Sequence, residues 1–223
     1  MNARLTSAAV AALAALAAVP AAAQVNGIAV ADPAIAVAGS QAIQTAYNQI
    51  GTTYQAQRTQ LEQLQQQRAG LVRQFDTNND GQLSQEEQTA AQANTTVLQQ
   101  VQTLDQQINT IQQPITLARV YAIEQIGQQL NTAVQQVVQA NSIQLIVSPQ
   151  ATLFVADAAD VTDEIITRLN TLVPTVSTAA PQGWQPQQQS VQLYQQVAEI
   201  LMSVAAQQQA QQPAAQQPAA PGR

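Results

Sequence analysis

The segments IAVA (residues 28–31) and IQLIV (residues 143–147) decide the fold of this chain. Both have strand length and β-branched character, and each ends at a turn signal containing proline, at residues 32–33 and 148–150. A lone pair of strands is marginal in water, so the chain between them must leave and return as a helical hairpin that projects from a small sheet. The predicted fold class is α+β, mostly α: a small β-sheet body with a long antiparallel coiled-coil hairpin.

The stretch between the two segments carries apolar residues at alternating spacings of four and three, which is typical of a left-handed supercoil seam. Gln57 and Arg68 interrupt the seam, and polar residues at such positions weaken packing but fix the register. Pro114 lies inside the return arm, where we expect a kink or a restart of the helix. The apolar seam residues are Ile43, Tyr47, Ile50, Tyr54, Leu61, Leu64, Leu71 and Phe75, then Val101, Leu104, Ile108, Ile111, Ile115, Ala118, Ala122, Ile126, Leu130, Ala133 and Val137.

The remaining patterns predict the domain organisation. Residues 24–38 and 142–173 form the body, with a third strand at 153–155 and a helix at 161–172 whose N-cap is Asp160, with Asp163 in the capping-box position. Residues 39–141 form the hairpin. Residues 174–206 form a linker and a C-terminal helix over 191–206, with Trp184 docking on the rest of the chain rather than binding a ligand. Residues 207–223 are low in complexity and predicted to be disordered.

The first 23 residues have the pattern of a secretory signal peptide. Arg4 is followed by an Ala-rich apolar stretch and by small residues suited to cleavage before Gln24. A membrane anchor is the alternative, but the apolar stretch is short for a membrane span. We therefore expect a cleavable signal peptide and an exported, soluble mature chain.

The composition excludes several function classes. The chain has 7 basic and 13 acidic residues, a net charge of −6, and no Cys or His. It also contains no Lys, and without these three residue types the usual triads, thiol nucleophiles, zinc sites, Walker A loops and Schiff bases cannot form. An acidic chain is a poor partner for nucleic acid or anionic lipid. We expect a protein that is not an enzyme, does not use ATP and binds no nucleic acid.

Residues 76–87, DTNNDGQLSQEE, match the twelve-residue EF-hand calcium loop at each diagnostic position. The candidate oxygen ligands at loop positions one, three, five, seven, nine and twelve are Asp76, Asn78, Asp80, Gln82 through its carbonyl, Ser84 and Glu87. Gly81 permits the sharp turn at position six, and Leu83 is the apolar residue at position eight. A solvated polar turn is the alternative, because Asn-Asp-Gly is turn chemistry in any case. We favour one structural calcium ion per chain, joining the two arms, over an opening switch, since the loop has no second loop to pair with.

Residues 25–173 resemble the Skp/OmpH family of periplasmic chaperones. The resemblance rests on IAVAD at 28–32 before a long helix, and more specifically on IQLIV at 143–147, residues 151–155 and DVTDEIITRLN at 160–170, in that order. It implies a periplasmic homotrimer whose hairpins surround a cavity, with the loop near the hairpin tip. Family members hold unfolded outer-membrane β-barrel proteins there without ATP.

The arms depart from this family in their charge. Family members are strongly basic with Lys-rich arms, whereas the basic residues here are Arg58, Arg68, Arg73 and Arg119. We therefore do not transfer a lipopolysaccharide site, and we do not expect lipopolysaccharide or membrane binding. The leading hypothesis is an ATP-independent holdase for outer-membrane proteins. The alternatives are a calcium-binding structural coiled-coil protein of the cell envelope and, third, a calcium-responsive regulator.

Overall fold

A computed structural model describes residues 27–211, so the predicted signal peptide and residues 212–223 lie outside the described residues. Strands β1 (Ile28–Val30) and β2 (Leu145–Val147) pair in parallel, with Ile28 opposite Leu145 and Val30 opposite Val147. The two predicted segments are thus neighbours in one sheet. β2 begins two residues later than predicted, and the Ile143 N–H donates to the Val138 carbonyl at 3.0 Å instead of to β1. Ser142, in the turn that precedes it, has a φ of 53°.

The outgoing part of the chain contains three helices: α1 (Pro33–Ala38), α2 (Gln41–Thr53) and α3 (Gln55–Arg73). The Asp32 carboxylate caps α1 by accepting from the backbone N–H groups of Ala34 and Ile35 at 2.9 and 3.0 Å. The predicted single arm is interrupted at Tyr54, because residues 51–53 are Gly-Thr-Thr, which are weak helix formers. The interruption spans one residue, and a 2.9 Å hydrogen bond from the Tyr54 N–H to the Ile50 carbonyl bridges it.

The return part contains α4 (Gln85–Ala93) and the long helix α5 (Thr95–Ala140). α5 is continuous through Pro114, so the predicted alternative of a restart is wrong. A proline removes one backbone donor, and the helix nevertheless continues over all 46 residues. α3 and α5 run antiparallel, since Leu61 lies beside Ile115 while Leu71 lies beside Leu104.

The predicted seam matches the burial along both helices. Every predicted seam residue is buried or half-buried, including Gln57 and Arg68. The innermost residues form one apolar cluster between the arms: Ile50, Leu61, Leu64, Ile108, Ile115 and Ala118. Most of the intervening residues of α3 are exposed, so this pair of helices has a narrow core and a large surface.

A second, larger core lies near the sheet and joins elements from the whole chain. It contains Ala36 and Val37 of α1 and Ile123 and Ile126 of α5. Helix α6 (Thr162–Leu172) inserts Ile165 and Leu169, both with 0% exposure, and packs on α1 and α5. The predicted body residues therefore share their core with the bases of the arms.

The start of α6 differs slightly from the prediction. The helix begins at Thr162, preceded by Val161, and the Asp160 carboxylate accepts a 2.9 Å hydrogen bond from the Thr162 N–H. Val30 of β1 forms an isolated parallel bridge with Asp160. Asp160 thus connects the base of α6 to the sheet.

The predicted third strand at 153–155 is wrong. Short 3-10 turns at Pro149–Ala151 and Asp157–Ala159 enclose this segment, and Leu153 and Phe154 are exposed to 108% and 85%. A strand needs a partner for its backbone groups. Within residues 27–211, it is Asp160, and not this segment, that forms the additional bridge to β1. No segment of the described residues pairs with 153–155.

The C-terminal helix α7 (Gln188–Gln211) is longer at both ends than predicted. Residues 207–211, assigned by the sequence to the disordered tail, continue the helix because Gln and Ala are good helix formers and the next proline is Pro213. α7 packs on α1 and α5, where Val197 is fully buried. Among the described helices, none combines the length and the apolar character that a membrane crossing requires.

Candidate functional site

The loop at residues 76–87 connects α3 to α4 at the turning end of the hairpin. The carboxylate of Asp76, the first loop residue, accepts from the Gly81 N–H at 2.9 Å and from the Asp80 N–H at 3.2 Å. Gly81 has a φ of 82°, as position six requires, and Asn79 has a φ of 56°. The chain thus curls tightly around the carboxylate of Asp76, which is only 9% exposed.

Glu87, the twelfth loop residue, closes the loop onto its beginning. Its Oε1 accepts from the Thr77 N–H at 2.7 Å and from the Thr77 hydroxyl at 2.5 Å. Its Oε2 accepts from the Ser84 N–H at 2.9 Å, and the Ser84 hydroxyl accepts from the Glu87 N–H, which forms a capping box at the start of α4. Glu87 therefore serves both as the last loop position and as a helix cap.

These hydrogen bonds make Glu87 strongly acidic. The Thr77 hydroxyl, the Ser84 N–H and the Thr77 N–H together lower the pKa of Glu87 from 4.5 to about 2. The side chain is thus a carboxylate at any neutral pH, which is the form that a cation needs.

The loop contains all six residues predicted as ligands, and most of their side-chain oxygens make hydrogen bonds within the loop. Asp80 Oδ1 accepts from the Gln82 N–H at 2.8 Å, and Asn78 Oδ1 accepts from the Asp80 N–H at 3.1 Å, so both side chains bond to the loop backbone. The Asn78 amide also donates to Asp80 Oδ2 at 2.8 Å. Within residues 27–211, no three acidic side chains converge as metal ligands would. Carboxylate, amide, hydroxyl and carbonyl oxygens suit calcium. Glu87 Oε1 already accepts two hydrogen bonds, so bidentate binding of a cation by Glu87 would require it to give up one of them.

Thr77 is the residue of this site that sequence reasoning missed. It is not one of the six predicted ligands, yet it donates two hydrogen bonds to Glu87. The Ser-x-x-Glu spacing of Ser84 and Glu87 is a capping-box signal that was available in the sequence. The contact between Thr77 and Glu87 has no such signal, because it joins the two ends of the loop.

Two apolar surfaces lie elsewhere on the described residues. Beside the loop, a small cavity of about 110 Å³ is lined by Val72, Phe75 and Leu83 together with residues of α4 and α5. At the opposite end, the paired strand residues Ile28 and Leu145 are exposed to 45% and 53%. Leu153 and Phe154, on the segment that follows β2, are likewise exposed.

The segment after α6 is fastened to α5. The Gln125 amide both donates to the Ser177 carbonyl at 2.8 Å and accepts from the Ser177 N–H at 3.0 Å. Trp184 stacks edge-on against Tyr121, with ring centroids 5.0 Å apart, as the docking prediction required. The linker therefore follows a fixed path along the middle of α5.

Comparison with known proteins gives one family match. The family described as Outer membrane protein (OmpH-like) matches residues 27–169, which span both strands, both arms and most of α6. No curated protein matches the chain. A crystal structure at 2.83 Å resolution of a protein from Caulobacter crescentus CB15, described as a candidate outer membrane chaperone (OmpH-like), is 22% identical, with a TM-score of 0.39. The alignment covers 68% of this chain and 88% of that chain.

The identity and the TM-score of that structure are both low, so the family match alone assigns the chain. The match covers well over half of the sequence and ends before the linker and α7. It includes the residues on which the sequence resemblance rests, from IAVAD at 28–32 to the first ten residues of the DVTDEIITRLN segment. The chain therefore belongs to the OmpH-like outer membrane protein family.

Proposed function

We propose that this protein is an ATP-independent holdase chaperone of the periplasm that binds unfolded outer-membrane proteins between its helical arms. The observation that carries the proposal is the family match over residues 27–169, which includes the whole α3–α5 pair. The arms suit this role physically. Their core is a single narrow seam, and the large remaining surface offers many weak contacts to an unfolded chain.

The proposed active form is a homotrimer in which the arms pair as coiled coils and surround a cavity. The exposed apolar side chains of Ile28, Leu145, Leu153 and Phe154 support it. A two-stranded sheet is marginal by itself, and the segment 153–155 has strand composition but no strand partner among residues 27–211. Equivalent segments of other subunits would supply the missing partners.

Aggregation of a urea-unfolded outer-membrane β-barrel protein, measured by light scattering on dilution, tests the function. We expect the mature chain to suppress scattering at about one trimer per client without ATP. Phe154→Asp should abolish both the trimer and the suppression while keeping the helical circular dichroism spectrum, because this side chain contacts little in the monomer. Met202→Asp, at another exposed apolar residue, is the matched control. An absence of suppression by the trimeric wild type would contradict the holdase function.

We also propose that the loop at residues 76–87 binds one calcium ion per chain. Calcium binding would equally suit the alternative function, a calcium-binding structural protein of the cell envelope. The support is the donor spacing, the left-handed Gly81 and the ionised Glu87. Isothermal titration should show one site in the wild type and in Asp105→Asn, and none in Glu87→Gln. No calcium binding at millimolar concentration would contradict the proposal. Suppression assays with calcium and with chelator show whether the ion affects the chaperone function.

A further inference from the structure

A cleft of about 390 Å³ lies where α3, α5 and α7 meet, at the base of the arms. Arg58 of α3 and Arg119 of α5 both line it, and Tyr194 of α7 forms part of its wall. The chain has only 7 basic residues in total, so two of them in one cleft are a local concentration of positive charge in an acidic protein. The family match ends at residue 169, so Tyr194, which forms part of the cleft wall, lies outside the matched region.

Arg119 of the cleft has a donor without an acceptor, and so does its neighbour Tyr47, which does not line the cleft. The Nε of Arg119 and the hydroxyl of Tyr47 are buried without a hydrogen-bond partner among the described residues. The guanidinium carbon of Arg119 lies 5.3 Å from the centroid of the Tyr47 ring, so the ring holds the guanidinium in place. Buried polar groups almost always have partners. Arg119 also takes part in no ion pair among the described residues, so its guanidinium can pair with an acceptor bound in the cleft.

The protonation of these groups fits an anionic ligand. Burial raises the pKa of Tyr47 to about 12, with Arg119 lowering it and Tyr194 raising it, so the phenol keeps its proton and remains a donor. The ion pair found among residues 27–211 joins Arg68 to Asp105, and neither Arg58 nor Arg119 takes part in one. Glu62 also lines the cleft, one helical turn after Arg58, and its negative charge opposes an anion there.

We propose that this cleft binds a carboxylate of an acidic segment in an unfolded polypeptide, with Arg119 and Arg58 as the cationic partners. The inference rests on the proposed chaperone function and names the chemistry of one client contact. A guanidinium pairs with a carboxylate through two parallel hydrogen bonds. Leu61 and Ile115 in the same cleft offer apolar contacts to the residues that flank the carboxylate, which favours a peptide over a free anion.

Fluorescence anisotropy of a labelled peptide that alternates Glu and Val, titrated with the mature full-length protein, tests the proposal. Arg119→Gln and Arg58→Gln should each weaken binding roughly tenfold, because each removes a charge-assisted hydrogen bond. Glu62→Gln should tighten binding, since it removes a like charge from the cleft. Arg168→Gln on α6 changes the net charge equally at an exposed residue outside the cleft and should leave binding unchanged. Circular dichroism spectra verify that each variant is folded.

Three results would overturn the proposal. They are equal loss of binding in Arg168→Gln, equal binding of the same peptide with Gln in place of Glu, and full displacement of the peptide by inorganic phosphate at similar concentration. The light-scattering assay separates this inference from the proposed function. Arginine-dependent peptide binding without suppression of aggregation contradicts the holdase and supports the cleft. Unchanged suppression of an acidic client by a folded Arg119→Gln variant that no longer binds the peptide contradicts the client contact alone.

Discussion

The indole N–H of Trp184 donates a 3.0 Å hydrogen bond to Oε1 of Glu124 on α5. The other carboxylate oxygen accepts from the Gln187 N–H at 3.2 Å, and Glu124 is 7% exposed. Burial raises the pKa of Glu124, but hydrogen bonds from Ser190, Trp184 and Gln187 outweigh it and lower the pKa overall. A buried, ionised carboxylate thus fastens the segment that follows the family-matched region to the long helix.

Replacing Glu124 should release this segment. Trp184 is the only tryptophan of the chain, so its fluorescence reports on the linker alone. In Glu124→Ala the indole N–H and the Gln187 N–H lose their acceptor, and we expect a red shift of the emission and a loss of about 1–3 kcal/mol in the free energy of unfolding. Glu199→Ala, at an exposed residue of α7, should change neither. Unshifted emission in Glu124→Ala would show that Trp184 docks without this hydrogen bond.

Alanine substitutions at two helical glycines distinguish the effect of helix propensity on stability from the effect of packing against α7. At Gly70 of α3, an added Cβ meets no atom within 4 Å, and Gly70→Ala should stabilise the protein by about 0.5–1 kcal/mol. At Gly127 of α5, an added Cβ lies 3.2 Å from Cδ2 of Leu193 on α7, so Gly127→Ala should gain less or nothing. Urea denaturation measures both variants. An equal gain at the two positions would mean that α7 does not pack on α5 in solution.

The ion pair between Arg68 and Asp105 joins α3 to α5 at 2.6 Å. Because its side chains are 44% and 42% exposed, solvent screens the attraction, and we expect a coupling energy of about 0.2–1 kcal/mol. A double-mutant cycle with Arg68→Gln and Asp105→Asn, repeated in 1 M salt, measures it. The coupling should shrink with salt. A large, salt-independent coupling would indicate that the pair is buried in the assembled protein.

The loop should lose stability in acid. The folded-state pKa of Glu87 lies at about 2, below its ordinary 4.5, so its contribution to stability is present above pH 4.5 and is lost as the pH falls toward 2. The protection of the Thr77 and Ser84 amides against hydrogen exchange, measured by NMR and corrected for the intrinsic exchange rate at each pH, should therefore fall over this interval. Glu87→Gln should remove most of this pH dependence. A carboxyl resonance of Glu87 that titrates near 4.5 would show that the hydrogen bonds across the loop are absent in solution.

Much of the arms could be predicted from the sequence because heptad spacing reports burial directly. Every predicted seam residue is buried or half-buried, and the two strand segments are paired neighbours. The interruption at Tyr54 was missed because the apolar spacing continues through it. The weak helix formers at 51–53 were its only signal.

The contacts of the C-terminal segment could not be predicted, since they join residues that are far apart in the sequence. Glu124 lies 60 residues before Trp184, and no spacing rule connects them. The prediction of a strand at 153–155 was wrong for a different reason. The composition of this segment suits a strand, but a strand also needs a partner for its backbone groups. At the loop, the sequence supplied the ligand types, whereas the hydrogen bonds of Glu87 to Thr77 depend on how the loop closes.

Strands β1 and β2 lie side by side although 114 residues separate Val30 from Leu145. The chain therefore leaves the sheet and re-enters it at adjacent points, and the distance between those points does not depend on how far the arms reach. Matched seven-residue segments could be removed from α3 and α5, or added to them, without changing the geometry of the sheet. The reach of the arms is thus a dimension that evolution or design can adjust in steps of about 10 Å per heptad, independently of the base.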